Sequence, residues 1–181
     1  FARVYPQPGL IDLIRHPPDL SGFSFLEVDE ARRTVRFRPG RCLLDRDLVI
    51  PAGYIVLAGP GTDLDLVKQA AILSYSPLRF TGTLEKPVTL RSSDHTGQGL
   101  AILSARGRSL LSHVLLSDLS PPVKGGWILT AAFTCYESPV TLSRCRFEGS
   151  RNGSWFNPVR TDFLLSRTVF VRSGMDALDA E

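Results

Sequence analysis

The sequence predicts an all-β fold, a parallel β-helix with coils of about 21–23 residues, on the strength of three observations. The phrase Leu142-Ser143-Arg144-Cys145-Arg146-Phe147 is nearly repeated as Leu165-Ser166-Arg167-Thr168-Val169-Phe170, 23 residues later. A looser version, Leu111-Ser112-His113-Val114-Leu115-Leu116, lies 31 residues before the first. Gly40, Gly61 and Gly82 stand 21 residues apart, the first two as Pro-Gly pairs. From Thr34 onward, short apolar stretches end in Gly or Pro, the punctuation of strands joined by tight turns. A period of this length holds three short strands, one coil of a solenoid. An up-and-down barrel would use similar strands but would not produce a fixed period.

Residues 1–33 stand apart from this pattern. Leu10, Ile11, Leu13 and Ile14 have near-helical spacing and Pro17-Pro18 stops a helix, so a short helix and a loop are expected as an N-terminal cap. The stretches VRFRPG (35–40), LVIPAG (48–53), YIVLAGPG (54–61) and PVTLRS (87–92) then read as strands ending in turns. In the repeated phrase, a bend at Ser143-Arg144 points Val140, Leu142, Cys145 and Phe147 inward. The same assignment places Phe163, Leu165, Thr168 and Phe170 one coil later, and Ser109, Leu111, Val114 and Leu116 one coil earlier. The segment SPPVKGG (120–126) is expected as an inserted loop that lengthens its coil. Residues 34–181 thus form one β-helical domain. A solenoid of this kind would continue past residue 181, and the chain opens Phe-Ala-Arg without initiator Met, so it reads as a processed or excised segment.

Composition narrows the function classes. A hydrophobic fraction of 43% and a charged fraction of 22% fit a globular core, and no apolar run reaches the roughly 18 residues of a membrane span. The net charge of +3 is far from a nucleic-acid footprint. Positive charge comes from Arg, since Lys68, Lys86 and Lys124 are the only lysines, and Arg favours forked contacts to carboxylate, sulfate or phosphate. Cys42, Cys135 and Cys145 lack CxxC spacing and cannot all pair, so they are expected as small buried apolar residues, with no metal.

The stretches LVIPAGYIVLAGPGTDL, SPLRFTGTLEKPVTL and GWILTAAFTCYESPVTLSRCRF resemble right-handed parallel β-helix proteins of bacteria, the pectate-lyase-like superfamily. The resemblance covers about residues 34–181 and is to uncharacterised members, some of which adjoin spore-coat-kinase-like domains. It implies a right-handed solenoid and an extracytoplasmic or envelope location, with no settled activity. Relatives often carry Glu-Asp-Ala-Leu-Asn after the coil with the Cys-x-Phe phrase. Here that place reads Gly153-Ser154-Trp155-Phe156-Asn157, while the next coil keeps Asp176-Ala177-Leu178-Asp179.

Enzymes of this fold place carboxylates on one outer face, sometimes around Ca²⁺. Asp162, Asp176 and Asp179 are the candidate catalytic residues, and Asp179 is expected to stack over Asn157. Those oxygens fall short of the six to eight ligands of a Ca²⁺ site, and Asp or Asn at a bend also serves by bonding turn backbone. His113, Arg144 and Arg167 fall at the same bend of three coils and form the candidate ligand-binding strip, suited to an acidic polysaccharide or another cell-surface component. Arg146, Arg151, Arg160 and Arg172 could extend the strip, with Glu137 and Glu148 to balance it. Trp155 or Phe156 should face outward, because strand neighbours point oppositely; an outward aromatic such as Trp155 would suit either stacking on a sugar or packing under further C-terminal coils. His16, His95 and His113 are too far apart for a recognisable triad. Asp63 and Asp65 in GTDLDL (61–66) would repel phosphate. The expectation is a non-catalytic scaffold or carbohydrate-binding module; the alternative is a polysaccharide lyase, hydrolase or epimerase.

Overall fold

The computed structural model describes residue 18, residues 20–124 and residues 127–180. The expected helix around residues 10–14, and His16, lie outside the described residues. Inside the expected N-terminal loop, β1 (Leu26–Asp29) pairs antiparallel with β2 (Thr34–Phe37), setting Leu26 opposite Phe37 at the start of the core. Leu26 and Phe37 are both buried, so the strand covers the open end of the first coil.

From β2 onward the chain is a parallel β-solenoid of about six turns, with coils of about 24 residues. The first coil is β2, β3 (Gly40–Leu44) and β4 (Leu48–Ile50). The second is β5 (Ile55–Ala58), β6 (Thr62–Leu66) and β7 (Ile72–Ser74). The third is β8 (Leu78–Thr81), β9 (Val88–Arg91) and β10 (Leu100–Leu103). The fourth opens with β11 (Ser109–Ser112) and β12 (Val114–Ser117), leaves for the hairpin β13 (Val123–Lys124) and β14 (Trp127–Ile128), and returns as β15 (Ala131–Tyr136). The fifth is β16 (Val140–Ser143), β17 (Arg146–Glu148) and β18 (Ser154–Val159). The last holds β19 (Phe163–Ser166) and β20 (Val169–Val171), and Leu178 adds a parallel bridge to Phe156.

First, second and third strands of successive coils form three parallel sheets. The sequence-derived ladder matches the register: Ser109 stands on Val140 and Val140 on Phe163, while Leu111, Leu142 and Leu165 form the next column. Leu116, Phe147 and Phe170 form a third, on the second sheet. Alternation along each strand drives Val140, Leu142 and Phe147 into the interior, fully buried, with Cys145 beside them. Aromatic rings fill the later coils: Phe147 stacks on Phe170 at 4.7 Å and Phe133 on Phe156 at 5.2 Å between centroids.

Three expectations need correction. The glycine interval of 21 is one residue short of the register, since Gly40 pairs with Thr62 and not with Gly61. Pro-Gly marks the corner, but the coil counts by its inward apolar side chains. The inserted segment is not simply a loop; its hairpin reaches back along the solenoid. There Lys124 Nζ lies 2.7 Å from Asp47 Oδ1 and donates to Gln69 O at 2.7 Å, while Val123 N donates to Gln98 Oε1. Coil four is thereby strapped to coils one to three.

The third correction concerns Trp155 and Phe156, which are both fully buried. Trp155 is the second residue of β18, just past a corner, and its ring still reaches the interior, edge-on to Phe147 at 5.7 Å. Phe156 meets Phe133 within the third sheet. Strict alternation fails because a large side chain at a coil corner can fill the space between two sheets.

Candidate functional site

The bends of the later coils turn on single left-handed residues, one column per corner. Between first and second sheets, His113, Arg144 and Arg167 have φ of 52°, 53° and 49°. Between second and third, Asp118, Gly149 and Arg172 have φ of 55°, 72° and 53°. Between third sheet and the next coil, Ser104, Glu137 and Arg160 have φ of 46°, 47° and 47°. Where a further coil lies above, the corner amide is handed to it: His113 N donates to Ser143 O, Arg144 N to Ser166 O, Glu137 N to Val159 O and Asp118 N to Glu148 O. A side chain with φ in this region costs about 1–2 kcal/mol relative to glycine. The repeated Leu-Ser-Arg phrase is therefore a corner unit: an inward Leu, a Ser ending the strand, and a left-handed residue that turns the chain.

The corners differ in how their cations are balanced. At the third-sheet corner, Arg160 lies 3.4 Å from Glu137. At the second, Glu148 accepts from Arg146 at 3.0 Å and also pairs with Arg172, and these partners hold its carboxyl below the usual range. At the first corner, among the described residues, neither Arg144 nor Arg167 makes an ion pair, and both are exposed. His113 is half-buried, its Nδ1 3.1 Å from Ser112 Oγ. Three positions that carry or can carry positive charge thus repeat at the ~4.8 Å spacing of neighbouring strands.

The acidic candidates do not form a cluster; among the described residues no group of three potential metal-ligating side chains occurs. Asp162 lies at the corner before β19, where its carbonyl accepts from Val140 N. Its exposed side chain lines a shallow depression of about 550 Å³ with Arg108, Thr141, Thr161, Phe163 and Leu164. Asp176 and Asp179 sit on the last coil, where Asp176 O accepts from Trp155 N and Asp179 N donates to Phe156 O. With Leu178 bridged to Phe156, Asp179 does stand over Asn157. Asn157 Nδ2 donates to Thr130 Oγ1 at 2.7 Å, whereas its buried Oδ1 has no partner among the described residues. Trp155, fully buried, offers no face for a sugar.

Sequence reasoning passed over a charge network on the second sheet. Asp65 points outward from β6, yet its side chain is inaccessible beneath two guanidinium groups, with Oδ2 at 2.7 Å from Arg41 and 3.4 Å from Arg91. Arg91 also forks onto Asp63, 2.9 Å to each oxygen, and Ser93 N donates to Asp65 Oδ1. Burial opposes ionisation of Asp65, but these donors outweigh it and hold its carboxyl below the ordinary value. The available signal was the alternation Asp-x-Asp with arginines one coil away on either side. The network neutralises itself, which marks it as structural.

All three cysteines are free and buried, and burial raises each thiol, Cys42 to about 11 with Asp63 adding to the effect. Among the described residues no helix is long and apolar enough to cross a membrane. Comparison with protein-family models, with characterised proteins and with solved structures yields no match for this chain.

Proposed function

We propose that the chain is a right-handed, pectate-lyase-like β-helix that serves as a non-catalytic scaffold and carbohydrate-binding module of a bacterial surface or envelope protein. Its ligand is an acidic polysaccharide, held along the first corner by Arg144 and Arg167 with His113 beside them. The observation that carries this reading is the corner column itself, whose arginines lack the carboxylates that neutralise the other two corners. Like charges ~4.8 Å apart repel by nearly ~1 kcal/mol in water, and a linear polyanion relieves that repulsion. Right-handed winding follows the hand of almost all parallel crossovers.

The test is titration of the protein with polygalacturonate, read by calorimetry, at rising salt. Binding is expected to weaken with salt, because exposed charges are screened within ~10 Å at ~0.1 M. Replacing Arg144 and Arg167 together by Gly, which suits the left-handed bend, should abolish it without loss of fold. Undiminished binding in the double variant would sink the proposal.

The second reading, a polysaccharide lyase, hydrolase or epimerase, draws on Asp179 standing over the unpartnered Asn157 Oδ1. Release of shorter chains from polygalacturonate by the wild type, lost in Asp179→Asn, would favour it over a binding module.

A further inference from the structure

We propose that His113 gates this corner by pH, so that the ridge carries two fixed charges above the histidine range and three below it. The inference rests on reading the first corner as an anion-binding ridge. His113 occupies the same left-handed position as Arg144 and Arg167, and its backbone is fixed from both sides, by Ser143 O above and by Val88 N, which donates to His113 O. Ser112 Oγ lies 3.1 Å from Nδ1 and can accept from a protonated ring or donate to a neutral one, so either state keeps a local partner. Histidine is the one residue type in this column whose side chain changes charge in the neutral range.

Charged groups border His113 on both neighbouring coils. On the coil above are Arg144 and the uncharged Ser143. On the coil below, Gly82 N donates to Ser112 O and Val88 N to His113 O, and the loop between them carries exposed Glu85 and Lys86, which are of opposite sign. A bound carboxylate chain beside the ring favours its protonated form. Because the coupling is reciprocal, a ligand that favours the protonated ring binds more tightly once the ring is protonated. Uronate carboxylates, ordinary carboxyls of pKa near ~4, stay ionised throughout, so affinity should rise as pH falls through the histidine range.

The experiment measures anisotropy of fluorescein-labelled polygalacturonate at about pH 8 and about pH 5.5, on either side of the histidine range, at fixed ionic strength. One added charge contact near ~4 Å in water corresponds to about fivefold tighter binding at the lower pH. His113→Asn, which tolerates the left-handed bend, should hold affinity at the high-pH level. His113→Arg should hold it at the low-pH level. His95→Asn, at an exposed turn away from the column, should keep the wild-type pH response and so accounts for general charge effects. Melting curves confirm that each variant folds. A pH response unchanged in His113→Asn, with binding intact, would overturn the gate while leaving the ridge standing. Absence of binding at both pH values would remove the ridge and the gate together.

Discussion

At the scale of single residues, the corner positions balance backbone strain against side-chain chemistry. Arg144, at φ 53°, sits where glycine is at ease, so Arg144→Gly should raise stability by about 0.5–1 kcal/mol. Arg144→Val, β-branched, should lower it by a similar or larger amount, and urea denaturation of the two variants measures both. Asp94 makes the opposite kind of contribution. Burial opposes its ionisation, but amides of Lys68 and Thr96 and the hydroxyls of Thr96 and Ser92 hold its carboxyl down to about 2. Its stabilisation is therefore complete above the ordinary carboxyl value near ~4 and is lost as pH falls through the folded value. The melting-temperature gap between wild type and Asp94→Asn should close across that window. Trp155→Ala should cost about 3–5 kcal/mol, as for a large core aromatic, and a change below about 1 kcal/mol would contradict its placement against Phe147.

At the scale of elements, the strap of coil four is the feature least visible in the sequence. Pro-Pro and Gly-Gly in residues 120–126 announce a departure from the coil, but nothing local says where it docks. The answer lies in Asp47 and Gln69, on coils one and two, and in Gly153, where an added Cβ would fall 2.2 Å from Pro121 Cγ and 2.8 Å from Thr130 O. That crowding leaves room for nothing larger than glycine at position 153. Lys124→Met removes an ion pair and a hydrogen bond from a side chain only 17% exposed, and should cost about 1–3 kcal/mol. Limited proteolysis should then cut faster within residues 120–130. The inward ladder was legible because Leu-Ser-x-x-x-Phe phrases repeat with the coil. The Asp65 network was not, because its arginines lie one coil away on either side and the two intervals are unequal.

At the scale of the molecule, the solenoid converts sequence repetition into columns, and columns into faces of different character. The interior columns are mainly apolar, with polar exceptions such as Ser109, and the free thiols of Cys135 and Cys145 sit within them as small buried side chains. Ellman's reagent should leave all three thiols unmodified until denaturant opens the fold, whereas rapid labelling of any of them in buffer would contradict their burial. Outside, the second and third corners of the later coils pair their arginines with Glu148 and Glu137, and the first corner does not. The repeated phrase marked the first corner in the sequence. Its lack of acidic partners emerged only once the register placed Glu137 and Glu148 at the other corners. Position, and not net charge, would make the proposed ridge. The most direct measurement compares polygalacturonate affinity of Arg144→Gly/Arg167→Gly with that of Arg160→Gly/Arg172→Gly, two variants of equal net charge. The first should lose binding while the second retains it; equal losses in both would contradict a site at the first corner.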